Sequence, residues 1–304
     1  MSDPRSIDER DDRPHEHGGE DGWRESLTYV AADPAVMVVV RATWDPQART
    51  AAGDLLIRLE DGVILRAAFR EDRVQTRETS IGALTFGPTE RLNSWQLSAE
   101  TVALVTTPGT VLVGASATGT EASPAMGQAK RCSVELSFEA TGEAEGMATR
   151  RRVITDQRFA SIVSSGHFDQ PVRAAGEIRI GDRRLKADMH GLRTRTWGVR
   201  EPDPNDARLL VGFEEGHAVW HERLVLSDAT IQTTGCSKEG NFPDRLQVSG
   251  EGTPERLLLG GLAAEVLAVL PPEADEPTTR LVVRATLGDK EALGYAELAV
   301  SDSG

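Results

Sequence analysis

Residues 132–139, CSVELSFE, alternate apolar and polar side chains without a break. A period of two marks a β-strand with one buried and one wet face. The pattern recurs along most of the chain, and it constrains the fold more than any other feature. AVMVVVRATW (35–44) is rich in β-branched residues, which suit a pleated surface. GDLLIRLEDGVILRAAF (53–69) holds two strand-like runs around Asp61-Gly62, a hairpin signal. GEIRIGDRRLKADM (176–189) turns at Gly181-Asp182, RLLVGFEEGHAVWHERLVL (208–226) near Glu215-Gly216, and the last pair of runs at Gly288-Asp289. Only TDQRFASIVSSG (155–166) suggests a short helix.

Many short strands separated by regular turns predict an all-β protein built as sandwiches or barrels. The β-rich part of a 304-residue chain is too long for one small barrel. The expectation is a disordered acidic arm over 1–22, one β-domain over 23–175 and a second over 176–304. The arm reading rests on composition: nine of the first 25 residues are Asp or Glu, and little is apolar. His15 and His17 lie in it, and a flexible arm pre-organises no third metal ligand.

The net charge of −14 argues against nucleic acid as a partner. Cys132 and Cys236 stand far apart and no CxxC pair occurs, so no metal is expected. Gly-rich phosphate loops, GxSxG and HExxH are absent, and no cofactor is expected. The N-terminus lacks the apolar core of a secretory signal, and Leu257–Leu270 is too short to span a bilayer as a helix. The expected location is therefore cytoplasmic, with no integral membrane segment.

Two stretches hold the candidate site residues. In HGLRTRTWGVR (190–200), a strand puts Arg193, Arg195 and Trp197 on one face and Thr194 and Thr196 on the other. The first face could stack on a ligand and anchor its carboxylate or enolate. Alternatively, Trp197 plugs a barrel and the arginines pair with acids such as Glu25 or Asp169. In AVWHERLVL (218–226), Trp220 and Glu222 share one face and His221 lies on the other. If the Trp220 face lines a cavity, Glu222 is the candidate acid or base and Trp220 a substrate contact; otherwise His221 takes the proton role. His217 and His221 are roughly 13 Å apart along a strand, too far to share a metal.

The segment HFDQPVRAAGEIRIGDRRLKADMHGLRTRTWGVR (167–200) resembles the middle of the AttH-like, carotenoid 1,2-hydratase-like (hydroxyneurosporene synthase-like) proteins. WRESL (23–27), the 53–69 hairpin, VGFEEGHAVWHERLVL and ALGYAELAV look like further parts of that family. The resemblance implies two tandem lipocalin-like β-barrels or half-open antiparallel sandwiches. It implies that His167, Gln170, Gly198 and Arg200 brace the junction between them. It also implies an apolar ligand cavity and a hydrophobic small-molecule partner, a polyene or terpenoid. The expected activity is cofactor-independent cyclisation, double-bond isomerisation or hydration; a non-catalytic lipophilic carrier or sensor is the alternative. One departure bears on chemistry. The family's Asp-His-Ser is Thr194-Arg195-Thr196 here, which puts a permanent cation where relatives carry a histidine.

Overall fold

The computed structural model describes residues 6–15, 21–72, 80–106, 128–153, 161–199, 207–214, 217–226, 229–236, 246–250, 254–259, 261–270 and 278–299. Side chains are described in most of these, but not at 106, 149–153, 161–164, 222–236 and 299. Every long element among them is a β-strand, paired antiparallel with its neighbours. No helix among them is long and apolar enough to cross a membrane.

The first sheet has 11 strands: β1 (Trp23–Ala32), β2 (Val36–Asp45), β3 (Thr50–Leu59), β4 (Ile64–Asp72), β5 (Ser80–Ile81), β6 (Leu84–Glu90), β7 (Ser94–Thr106), β8 (Ala129–Ala140), β9 (Glu145–Val153), β10 (Ser161–Ile180) and β11 (Arg183–Val199). Pairing of β4 with β7 closes the path β4-β3-β2-β1-β11-β10-β8-β7 into a ring. Closure removes the exposed edges that an open sheet would present. The alternation of β8 is realised in full: Cys132, Val134, Leu136 and Phe138 are buried, and Ser133, Glu135, Ser137 and Glu139, which alternate with them, are not. These side chains join Tyr29, Val38, Leu55, Leu97 and Ile178 in the barrel interior.

The second sheet has 8 strands in order β14-β13-β12-β19-β18-β17-β16-β15. They are β12 (Ala207–Gly212), β13 (Ala218–Leu226), β14 (Ala229–Cys236), β15 (Gln247–Ser249), β16 (Arg256–Leu259), β17 (Leu262–Leu270), β18 (Thr278–Leu287) and β19 (Lys290–Ala299). It curves as a half-barrel. One face packs Leu210, Trp220, Val282 and Tyr295 against Val30, Val39, Leu56 and Leu192 on the outside of the first barrel. The other face gathers Leu209, Val211, Val219, Leu257 and Leu281 into a separate core. The architecture is thus the expected pair of tandem lipocalin-like β-units.

Two glycines set how closely the units approach. A Cβ on Gly191 would run into the Val30 carbonyl of β1, and one on Gly212 would meet the Gly191 backbone. At this crossing of β11 and β12 only hydrogen fits, and the two sheets touch through their main chains.

One expectation is corrected. Ser161–Gly166 is not helical: it opens β10 and pairs with β9, where β-branched Ile162 and Val163 favour extended backbone. Residues 154–160 lie outside the described residues. The boundary placed at 175/176 falls inside β10, and the change of sheet comes between Val199 and Ala207. The β10–β11 hairpin pairs continuously from Gly166↔Trp197 to Ile180↔Arg183. Of the acidic arm, residues 6–15 are among those described. They lie on the barrel with Asp11, Asp12 and His15 buried, because their acids meet buried arginines that composition alone does not reveal.

Candidate functional site

Strand β11 delivers its arginines to the barrel interior by register. Arg193 lies opposite Tyr29, Arg195 opposite Leu27 and Trp197 opposite Glu25 on β1. On its other side β11 sets Gln170, Phe168 and Gly166 against the same three residues. Because Tyr29 and Leu27 belong to the barrel core, the face carrying Arg193, Arg195 and Trp197 points inward.

At the barrel mouth the two arginines border a cavity of about 60 Å³. Its lining combines Arg193, Arg195, Glu25 and Asp12 with Tyr29, Trp44, Phe86 and Trp95. The guanidinium of Arg193 sits 4.3 Å from the Trp95 ring centroid, 5.1 Å from Phe168 and 5.9 Å from Tyr29. Rings stacked round a cation offer their negative faces to it. One nitrogen of Arg193 donates to Asp12, while Nε and Nη1 are buried without a hydrogen-bond partner. Unpaired donors on a buried cation are costly, and an arrangement that retains them is ready to take another acceptor. Burial, and then the neighbouring charge of Arg195, push the Arg193 guanidinium down from its ordinary value.

Arg195 donates through Nε and Nη2 to Oε1 of Glu25, the former at 3.0 Å, and through Nη1 to Asp12 at 3.3 Å. The expected pairing with Glu25 is therefore present. Burial alone would raise the Glu25 pKa, but Arg195 and His15 outweigh it and hold it at about 2. Glu25 is thus a fixed anion and no proton donor near neutrality. Burial pushes the Tyr29 phenol up, against a smaller opposing effect of Arg195, which keeps it protonated.

Trp197 does not line the cavity. It is fully buried, stacked on the His15 ring at 4.0 Å and edge-on to Phe168 at 6.3 Å. Gly166, its cross-strand neighbour, leaves room for the indole: a Cβ there would collide with the six-membered ring.

The opposite face of β11 carries different chemistry. His167 bonds Asp169 at 2.7 Å and Thr196 at 3.0 Å, and Thr194 donates to Asp169 at 2.8 Å. All four are buried. Asp169, the other acid considered for the arginines, is thus engaged on the outer face. Gln170 donates to the carbonyls of Leu92 at 2.8 Å and Gly142 at 3.2 Å. Gly198 adopts φ 123°, open to glycine but strained for other residues. Arg200 lies outside the described residues.

Trp220 and His221 do not reach this cavity. Trp220 packs in the layer between the sheets, and His221 is buried two residues from Val219, on the face of the second core. The Glu222 side chain lies outside the described residues; its backbone pairs with Arg208. A second pocket of about 440 Å³ lies between the sheets and is bordered by Arg58, His190, Phe213, Arg284 and Leu293. Arg284 there is exposed, so water screens its charge. Among the described residues no group of three or more His, Cys, Asp or Glu could hold a metal ion.

The sequence did not single out Asp12, Tyr29 or Trp95. For Trp95 a signal existed, since Trp95, Leu97 and Ala99 alternate with polar residues on β7. For Asp12 there was none, because a non-periodic arm carries no face.

One solved structure shares the architecture at a TM-score above 0.5. Kievitone hydratase from Nectria haematococca superposes with a TM-score of 0.51 at 12% identity, over 92% of this chain and 89% of that one. A Nitrosomonas europaea protein assigned to AttH gives 0.49 at 11% identity, over 94% of both chains. CghA, solved with Sch210972, gives 0.45 at 10%, over 93% and 90%. At such identity the first likeness establishes the fold, and it bears out at that level the resemblance carried by residues 167–200. Among curated proteins, small ribosomal subunit protein eS6 of Halorubrum lacusprofundi is 32% identical over 106 residues, which make up 32% of this chain and 78% of that protein. A family model matches much more of the chain, residues 8–237. By that match the chain belongs to the DUF7064 family, a domain of unknown function.

Proposed function

We propose that the protein is a cofactor-independent enzyme acting on a conjugated, hydrophobic small molecule with an anionic or strongly polarised head. One observation carries this reading: two buried guanidiniums, Arg193 and Arg195, border an aromatic-lined cavity, and Arg193 keeps two donors without partners. A carboxylate or enolate placed on them would be held by charge-assisted bonds in a low-dielectric setting. The rings of Tyr29, Trp44, Phe86 and Trp95 would pack the attached chain and fix its shape. Withdrawing charge from a conjugated head favours cyclisation or a double-bond shift along the chain. Kievitone hydratase, whose fold this chain shares, is by its name a hydratase. For direct hydration, neither Glu25, which is ionised, nor a guanidinium supplies the proton. His221 and Glu222 stand on the other sheet, so the proposal gives them no proton role. In this reading each sheet acts as its own domain, and the first holds the ligand.

The ionised state of Glu25 favours a second reading, a carrier that binds the same ligand without converting it. Incubation of the full-length protein with conjugated polyene carboxylates separates the two. The enzyme reading predicts multiple turnovers by mass spectrometry and a loss of about 10²-fold or more in Arg195→Ala. Stoichiometric binding with no product supports the carrier and contradicts the enzyme.

A further inference from the structure

The cavity is closed by the chain's own N-terminal arm, and the closure copies the bonding of a ligand. The arm folds into a tight turn: Asp11 N–H donates to the Asp8 carbonyl at 2.9 Å, and Asp8 and Arg10 N–H groups donate to the carboxylates of Asp11 and Asp8. The turn presents Asp12 to the barrel mouth. Its Oδ2 accepts from Leu92 N–H at 2.9 Å and from the Trp95 indole at 3.2 Å. Its Oδ1 accepts from Arg193 and, at 3.3 Å, from Arg195. Arg91 donates to its main-chain carbonyl. One carboxylate thus meets two guanidiniums, an indole and a main-chain donor, all converging on one point, and it is 1% exposed.

Behind it, His15 stacks on Trp197 and bonds Glu25 at 3.2 Å. Pro14 and Asp12 themselves form part of the cavity wall. With the arm seated, the remaining 60 Å³ admits a few water molecules, against the several hundred Å³ that a small-molecule site needs.

We propose that Asp12 occupies the head-group subsite of an acidic hydrophobic ligand, and that residues 8–15 are a self-ligand which the ligand's carboxylate displaces. This deepens the reading given under Proposed function and rests on it. The arm and the ligand compete for the same donors of Arg193, Arg195, Trp95 and Leu92. Removing the arm's carboxylate therefore raises apparent affinity by restoring the open form. It does so selectively for acids, because a neutral ester gains no ion pair.

The test uses the full-length chain, with cis-parinaric acid and its methyl ester as fluorescent probes. Asp12→Asn should bind the acid about tenfold more tightly than the unaltered protein, with little change for the ester. His15→Ala, which loosens the arm and leaves every arginine its carboxylate, should act in the same direction and less strongly. On the unaltered protein, the acid should speed tryptic cleavage after Arg10, and the ester should not. The trypsin and His15→Ala results stand even if Asp12→Asn fails to fold. Equal acid affinity in all forms, with no change in cleavage at Arg10, overturns the self-ligand and leaves the cavity reading intact. Binding of neither probe by any form overturns both.

Discussion

Two groups of buried and half-buried arginines use the same chemistry to opposite ends. Between the sheets, Arg41 and Arg208 share Glu297 at 3.1 and 3.6 Å, Arg208 also reaches Thr28 at 3.2 Å, and Arg280 bonds Asp54 at 2.6 Å. Tyr295 donates to the same Glu297 at 2.7 Å. Most of these bonds join one sheet to the other, and every cation has an acid from a strand. At the barrel mouth, Arg193 depends on Asp12, which no strand holds, and two of its nitrogens go without hydrogen-bond partners. The first group is a closed brace. The second is an open one, completed by a removable part. Where its carboxylates are anchored separates a structural cluster from one that can accept a ligand.

The comparison breaks most visibly if the brace is removed. Glu297→Ala takes the shared carboxylate from Arg41, Arg208 and the Tyr295 phenol, and should cost about 3–5 kcal/mol in denaturant unfolding. A loss below about 1 kcal/mol would mean that the inter-sheet cluster is no brace.

Acid should undo the mouth by a defined route. The folded Glu25 carboxyl titrates at about 2, against an ordinary 4.5. A depressed pKa stabilises the fold fully above about pH 4.5, and this contribution is lost as pH falls from there toward 2. The loss amounts to about 3 kcal/mol, and Glu25→Gln should flatten that part of the stability–pH curve.

Gly166→Ala should cost about 1–3 kcal/mol by pressing on Trp197. It should also lower protection of the arm from trypsin, since His15 stacks on that indole. The smallest stability effect sharpens the comparison most. Arg193→Met should cost about 1–2 kcal/mol: the buried Asp12 carboxylate loses one donor but keeps Arg195, Leu92 N–H and the Trp95 indole, while an apolar side chain of similar size removes two unpaired donors. It should nevertheless abolish any preference for acid over ester.

Much of this was legible in the sequence. Alternation predicted the strands and the shared face of Arg193, Arg195 and Trp197; the pairing of buried charges offered Glu25 or Asp169 as partners of the arginines, and Glu25 is the one that Arg195 bonds. A period of two says which residues share a face, but not which face is inside. For that reason Trp220 and His221 stayed open until packing placed one between the sheets and the other in the second core. The resemblance over residues 167–200 implied a junction, but the Gly191–Gly212 contact joins strands of two different sheets, which no periodicity reveals. The arm was least legible, because its structure comes from charge complementarity with residues some 180 positions away and not from any pattern of its own.

The central claim, that the ligand's head rests on Arg193 and Arg195, is tested most directly by a crystal structure of the full-length protein grown with cis-parinaric acid. The account predicts the carboxylate within hydrogen-bond distance of both guanidiniums, the tetraene against Trp95 and Tyr29, and Asp12 displaced from its seat. A ligand in the inter-sheet pocket beside His190, Phe213 and Arg284, with Asp12 still bound to Arg193, would contradict it.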